Sequence, residues 1–222
     1  MAETHSADGL HLQRFVVNMV EENTFVVWDA SGEAVVVDPG MLYPEEQRAV
    51  ADFIKEKGLT LKHVLLTHGH FDHTFGAQFL FERFDVKPEL CAADAVLYAE
   101  PSDQLALFLH RRLSAAVPPL GPALTDGQEI SFGRHTLRVI ATPGHTPGGV
   151  CFYCEQEGLL LSGDSLFRGA IGRCDLPGGN ERSLVDSLKT HILTLPDETL
   201  VCPGHGDTTH VGDERRQNVY LK

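Results

Sequence analysis

Thr67-His68-Gly69-His70-Phe71-Asp72-His73 holds four metal-binding side chains, His68, His70, Asp72 and His73, in one short stretch. Imidazole nitrogen and carboxylate oxygen are the donors that Zn²⁺ and related ions accept at catalytic sites. Alternate residues of an extended segment project to one side, so His68 and His70 can grip one ion. Asp72 and His73 come where the chain is expected to turn, and so face a second point. At this chain's composition, a chance HxHxDH match is on the order of one in several hundred.

Three further ligand candidates share one local setting. Leu137 to Ala141 runs into Thr142-Pro143-Gly144-His145, Leu159 to Leu161 into Ser162-Gly163-Asp164, and Leu200 to Cys202 into Pro203-Gly204-His205. Each time an apolar strand ends, a small or kinked residue follows, and a His or Asp comes next. Gly and Pro permit a sharp exit and a close backbone approach. Ligands placed repeatedly at strand ends can converge on one edge of a sheet, where rigid scaffolds commonly carry their sites.

Seven ligands exceed what one tetrahedral ion takes. Two divalent ions bridged by Asp164 give one site His68, His70 and His145, and the other Asp72, His73 and His205. Zinc is the first expectation, with iron or manganese as alternatives. Counting two aspartates and one hydroxide, the core keeps about one net positive charge, which suits an anionic or polarised-carbonyl substrate and favours hydrolysis. Asp38, after the apolar Ala34 to Val37, is expected to support the metal loops as an acceptor rather than to bind metal.

The elements that must position these residues are readable in outline. Leu12 to Val17, Thr24 to Trp28 and Ala34 to Val37 have strand composition, the last stopping at the turn signal Asp38-Pro39-Gly40. Glu45 to Lys57 has apolar Ala49, Val50, Phe53 and Ile54 at helical spacing, with Gly58 as a stop. His63 to Leu66 predicts a short buried strand, and Phe75 to Phe84 contains a helix. Asp94 to Leu113 is helical with a break near Pro101, and Pro118, Pro119 and Pro122 end it. Strands are expected at Glu129 to Phe132, Thr136 to Ala141, Val150 to Tyr153, Leu159 to Leu161 and Thr199 to Cys202, with a helix over Arg182 to Leu193. Strands grouped with helices, joined by several hairpin-like links, predict a mixed α/β sandwich.

Composition narrows the function classes. The 222 residues suffice for one substantial domain spanning 1–222, and no repeat or linker divides them. The longest apolar runs are far too short to span a bilayer. The start, Met1 to Gly9, is polar and lacks the pattern of a secretory signal, so a cytoplasmic protein is expected. A formal net charge of −13 repels phosphate backbones and disfavours nucleic-acid binding; Arg111-Arg112 and Arg215-Arg216 are isolated pairs. The five cysteines are read as reduced thiols. Cys151 and Cys154 form a CxxC within a strand-like run, where the two thiols point to opposite faces as packing residues.

THxHxDH, the later His145, Gly163-Asp164 and Pro203-Gly204-His205 together resemble the metallo-β-lactamase superfamily, in its glyoxalase II-like branch of hydroxyacylglutathione hydrolases. The likeness runs from about Thr24 to the C-terminus. Gly163-Asp164-Ser165-Leu166-Phe167, Gly172-Arg173-Cys174-Asp175-Leu176-Pro177-Gly178-Gly179, and the stretch from Pro203 to Thr209 with Glu214-Arg215-Arg216 are similar to the short single-domain members. The resemblance implies a four-layer αββα sandwich and the ligand roles given above. In the family's hydrolases a metal-bridging hydroxide attacks a thioester or ester carbonyl, while the metals polarise the carbonyl and stabilise the tetrahedral oxyanion. Asp72 then binds the second metal and orients the hydroxide. A thiolate leaving group needs little protonation, so no separate general acid is demanded. The implied substrate is a small molecule, S-lactoylglutathione or a related hydroxyacyl thioester. The sequence departs from the longer glyoxalase II enzymes in two ways. It ends too soon after His205 to hold their helical C-terminal domain, and Arg173 stands where they have Lys. Arg173 is expected to clamp a substrate carboxylate with its planar fork, or else to form a structural salt bridge.

The same ligands admit other chemistry. Persulfide dioxygenases share this fold, and their single Fe(II) would use His68, His145 and Asp164. The Leu176-Pro177-Gly178-Gly179 continuation favours the hydrolase group. A lactone or ester hydrolase and a non-catalytic metal-binding module are further alternatives. Of the remaining residues, His63, His135 and Tyr153 are read as edge or packing residues, His110 as a helix-surface residue, and His210 as having no family role. Nothing in the sequence speaks to oligomeric state.

Overall fold

The computed structural model describes residues 9–109 and 116–222. The first sheet holds β1 (His11–Val17), β2 (Glu22–Trp28), β3 (Glu33–Val37), β4 (Thr60–Leu65) and β5 (Pro88–Glu89), in that spatial order. β1 to β3 pair antiparallel, and β3, β4 and β5 run parallel. The second sheet contains β6 (Glu129–Phe132), β7 (His135–Ala141), β8 (Val150–Cys154) and β9 (Leu159–Gly163). β10 (Leu166–Phe167) and β11 (Ala170–Ile171) make a small hairpin of their own; β12 (Leu200–Pro203) and β13 (Thr209–His210) complete the second sheet, whose order is β13-β12-β9-β8-β7-β6. The helices are α1 (Pro44–Glu56), α2 (Ala77–Phe84), α3 (Ala95–Ala99), α4 (Pro101–Leu109), α5 (Glu181–Ser187) and α6 (Val211–Gln217).

Alternation along the strands explains the layers. Phe25, Val27, Val35, Val37 and Leu65 of the first sheet meet Leu137, Val139, Phe152, Leu159 and Leu161 of the second in one buried cluster. The residues between them turn outward. Val26, Val36 and Val64 pack with Val50 and Ile54 of α1 and Leu80 of α2. On the far side, Ile140, Cys151, Tyr153, Leu160 and Val201 pack with Leu184 of α5 and Val211 of α6. Helices on both outer faces of two sheets form the expected αββα sandwich. Each fully buried large apolar side chain contributes roughly 1.5–3 kcal/mol by its removal from water. Cys151 and Cys154 fall on opposite faces of β8, one toward the helices and one toward the other sheet. Both are free thiols.

Elements with a long apolar pattern match the expected ones closely. The break near Pro101 is real, since α3 ends at Ala99 and α4 starts on the proline, whose missing N–H suits a first helical position. The helix expected over Arg182 to Leu193 instead divides into α5 and a π turn, Leu188–Ile192. The readings placed on His110, Arg111, Arg112 and Leu113 lie outside the described residues. Among the described residues, no helix is long and apolar enough to cross a membrane.

The topology carries the candidate ligands to one rim. β8 is antiparallel to both β7 and β9, and β9 is parallel to β12, so β7, β9 and β12 all run the same way. Their C-terminal ends therefore share an edge. The first sheet joins it there: Val150 N donates to Thr67 O at 2.8 Å just past β4, and Asn23 N to Gly204 O at 2.7 Å.

Candidate metal centre

The chain bends at Thr67 and His68 after β4, is extended at His70, and enters a 3-10 turn at Phe71. His68 and His70 thus precede the turn, while Asp72 and His73 lie within it. Asp38 anchors this loop from the end of β3. One carboxylate oxygen accepts Thr67 N at 2.7 Å; the other accepts Thr67 Oγ1 at 2.7 Å and His73 Nδ1 at 3.0 Å. Both oxygens are occupied, although Asp38, His68 and His73 also bring potential ligand atoms within 4.8 Å of one another. Thr67 Oγ1 in turn accepts His68 Nδ1 at 3.0 Å. His145 Nδ1 donates to Arg173 O at 2.7 Å, and His205 Nδ1 to Val20 O at 3.1 Å. Each bond fixes its ring through Nδ1 and leaves Nε2 facing the other candidates, with His145 Nε2 2.9 Å from His70 Nδ1.

All seven candidates meet. The ligand atoms of His68, His70 and His145 lie within 4.8 Å of one another, as do those of Asp72, His73 and His205. Asp164 stands between the triads. Its Oδ2 is 3.5 Å from His145 Nε2, while its Oδ1 is 3.4 Å from His73 Nε2 and 3.8 Å from His205 Nε2. Asp72 Oδ2 is 3.3 Å from His205 Nε2 and 3.8 Å from His73 Nε2. A tetrahedral ion with bonds of 2.0–2.1 Å separates its ligands by about 3.3 Å, so these spacings leave room for an ion. His68 Nε2, His73 Nε2 and Asp164 Oδ1 are buried with no hydrogen-bond partner. Orphaned buried polar atoms are costly, and metal coordination is what would satisfy these. The donor set therefore fits two divalent ions.

Electrostatics separate the triads. Burial, then the charges of His73, His70 and His145, hold His68 well below the usual imidazole value. Burial and His145 push His70 down to about 4. At His73 burial opposes the charged form, but Asp164, Asp72 and Asp38 overcome it and raise its pKa well above the usual value. His205 is likewise raised, by Asp72 and Asp164 against burial. Burial would raise Asp72 and Asp164, but His73 outweighs it in both; with His205 at Asp72, and with His145 and His205 at Asp164, both carboxyls stay below their usual range. Both aspartates are thus charged and ready to ligate.

Arg173 sits at the surface. Its Nε and one terminal nitrogen each donate to Asp175 at 2.8 Å. His63 Nδ1 pairs with Glu89 at 2.6 Å, His210 is exposed beside Asp213, and Tyr153 is buried against the guanidinium of Arg138. Several supporting residues escaped the sequence reading. Asn18 Nδ2 donates to Asp72 O and Gly40 O, both at 2.9 Å, and Asn23 Nδ2 donates to Pro203 O and Gly206 O, both at 2.9 Å. Glu22 is fully buried 3.8 Å from His73, and burial raises its pKa well above the carboxylate range. The available signal was a polar run, Glu22-Asn23-Thr24, opening an apolar strand that favours β-branched and aromatic residues. Gly204 is a packing requirement: a Cβ there would stand 2.5 Å from Asp164 Oδ1 and 2.6 Å from His73 Cε1.

The metallo-beta-lactamase superfamily pattern matches residues 18–205 of this chain. The chain is 35% identical over 209 residues to a probable metallo-hydrolase, YqgX, of Bacillus subtilis, covering 94% of this chain and 96% of that one. It is 31% identical over 215 residues to the hydroxyacylglutathione hydrolase GloC of Haemophilus influenzae, covering 96% and 98%. Among solved structures, TTHA1623 in a di-iron-bound form superposes with a TM-score of 0.82 at 36% identity, covering 94% of this chain and all of that one. With the match spanning every candidate ligand and most of its length, the chain belongs to the metallo-β-lactamase superfamily.

Proposed function

We propose that the chain is a dinuclear metallo-hydrolase acting on a hydroxyacyl thioester of the S-lactoylglutathione type. The carrying observation is the pair of triads flanking Asp164, with buried donor atoms at His68, His73 and Asp164 that make no hydrogen bond. His68, His70 and His145 would hold one ion, Asp72, His73 and His205 the other, and Asp164 both. Bound ions would polarise the substrate carbonyl and make water nucleophilic near neutral pH. Asp72, kept ionised beside His73 and His205, would bind the second ion and orient that water. Zinc is the first choice of metal, and the di-iron-bound relative makes iron the next.

The thioester assignment is supported by the relative named for hydroxyacylglutathione hydrolysis. Arg173 would receive a substrate carboxylate. Its pair with Asp175 is surface-exposed and so contributes little, which lets a substrate carboxylate take the place of Asp175. A single-iron dioxygenase needs only His68, His145 and Asp164, and would leave His70, Asp72, His73 and His205 converging without a task.

The test is elemental analysis of the purified protein beside assays with S-lactoylglutathione, a lactone panel and glutathione persulfide. Two metal ions per chain, thioester turnover and no O₂ uptake are expected; one iron with O₂ consumption would replace the proposal. Arg173→Ala should raise KM for the glutathione thioester about tenfold with little change in kcat, the pattern of lost uniform binding. An equal rise for a thioester lacking glutathione would remove Arg173 from the substrate site.

A further inference from the structure

We propose that Asp94 is a positioning residue for the His68/His70/His145 triad, tying the two loops that carry it to one buried carboxylate. The inference rests on the two-metal reading above.

Asp94 lies just before α3, where an aspartate ordinarily caps the helix with its side chain. Here the side chain makes no such bond. It spends both oxygens elsewhere, and it is completely buried. Oδ2 accepts Gly69 N at 2.9 Å, from the peptide between His68 and His70. Oδ1 accepts Gly148 N at 2.6 Å, three residues past His145. The first loop leaves β4 in one sheet and the second leaves β7 in the other, so one carboxylate spans the sandwich at its rim. Charge-assisted bonds to backbone N–H groups are short and strong, and two at fixed angles leave neither loop free to slide.

The backbones close tightly on this residue. A Cβ at Gly148 would stand 2.8 Å from Asp94 Cγ and Oδ1, and one at Gly69 would stand 3.0 Å from Asp94 O. Gln104 of α4 grips the same stretch from beside it. Its Oε1 accepts Phe71 N at 3.0 Å, and its Nε2 donates to Gly69 O at 3.2 Å and Leu97 O at 2.7 Å. The segment from Asp94 to Gln104 thus holds the peptide on either side of His70. The other triad draws its backbone support from Asn18 and Asn23 instead. Asp94 therefore acts on one metal position rather than on the whole fold.

Asp94→Asn tests this, because the amide keeps the shape but turns an NH₂ donor toward one of the two N–H groups. Two parent variants isolate the positions: His205→Ala leaves the three-histidine triad intact, and His70→Ala leaves the Asp72/His73/His205 triad. Zinc affinity of each, with and without Asp94→Asn, is measured by chelator competition. In the His205→Ala background, Asp94→Asn should weaken zinc binding about 10-fold or more, the usual range for a group that orients ligands. In the His70→Ala background the change should stay within about twofold. Equal losses in both backgrounds, or none in either, would overturn the proposal. Parents that bind no zinc would instead overturn the two-metal reading beneath it. Circular dichroism of the metal-free proteins checks folding; if Asp94→Asn does not fold, Gly148→Ala presses on the same contact from the other side and is judged by the same ratio.

Discussion

Each end of the sandwich buries a histidine among carboxylates, and the two clusters are spent differently. At the end opposite the metal centre, Asp29 accepts Ser31 N at 2.8 Å, Ser31 Oγ at 2.5 Å, Arg134 N at 2.6 Å and His135 Nδ1 at 3.0 Å, and His135 Nε2 reaches Glu157 at 3.1 Å. Both ring nitrogens of His135 are used, and the cluster joins the β2–β3 turn to the start of β7. At the other end His73 also meets a carboxylate through Nδ1, but its Nε2 is buried without a hydrogen bond, as are His68 Nε2 and Asp164 Oδ1. A histidine between acids is therefore no sign of a site in itself. The sign is donor atoms buried together without partners, since folding leaves few such groups unless something else is to satisfy them.

The largest expected effect breaks the comparison at the metal end. His70→Ala or Asp164→Ala should reduce thioester turnover on the order of 10³-fold, as expected when stabilisation of transition-state charge is lost, with circular dichroism unchanged. Turnover close to that of the parent protein would mean that the ligands are misassigned. Next comes metal removal. With free metal at about 1,000 times its Kd, binding adds about 4 kcal/mol of stability, so an excess of chelator should lower Tm by roughly 8–16 °C. The same treatment should leave the Tm of Asp164→Ala nearly unmoved. A smaller effect belongs to the opposite end. Asp29→Asn should cost about 2 kcal/mol in urea unfolding, by weakening bonds to a buried charge, while turnover per folded molecule stays constant.

The smallest effect is a difference in pH response that sharpens the contrast. His73 and His205 have raised pKa values, so they hold protons above the usual imidazole value of about 6.5, and metal must displace those protons. His68 is lowered and His70 falls to about 4, so neither competes in that range. As pH falls from about 7 to about 5, metal content should drop from two ions toward one, with the Asp72/His73/His205 position emptying first. Asp29 behaves oppositely. Its carboxyl is lowered: burial alone would raise it, but the hydrogen bonds from Ser31, Arg134 and His135 outweigh that. Its contribution is therefore full above the unfolded value of about 3.9 and is lost only as pH falls below that. Metal loss and unfolding by acid should thus be separate transitions; one transition by elemental analysis and fluorescence together would contradict this.

Legibility in the sequence followed the length of the pattern. β7, β8 and β9 and helix α1 carry enough alternating or helical apolar positions to declare themselves. β5, β10, β11 and β13 have two residues each, too few for any period, and exist because neighbouring strands offer them partners. Helix α6, Val-Gly-Asp-Glu-Arg-Arg-Gln, buries little beyond Val211, Gly212 and Glu214 and has no apolar stripe to read. The candidate ligands were legible because each follows a strand and a Gly or Pro, or lies in the compact HxHxDH run. Asn18, Asn23 and Asp94 were not, because their side chains act on backbone groups distant in the chain, at a range no local pattern encodes.

Local chemistry thus determined the kinds of ligand, the strands they terminate and the sandwich that must carry them, since side-chain period and turn residues act over a few neighbours. Only the tertiary structure decided that four strand ends from two sheets share one rim and that Asp164 turns one oxygen to each triad. It also decided that burial lowers the pKa values of His68 and His70 while Asp72 and Asp164 raise those of His73 and His205. Those outcomes depend on distances between residues far apart in sequence and on how much water folding removes from between them, and charge interactions are set by both.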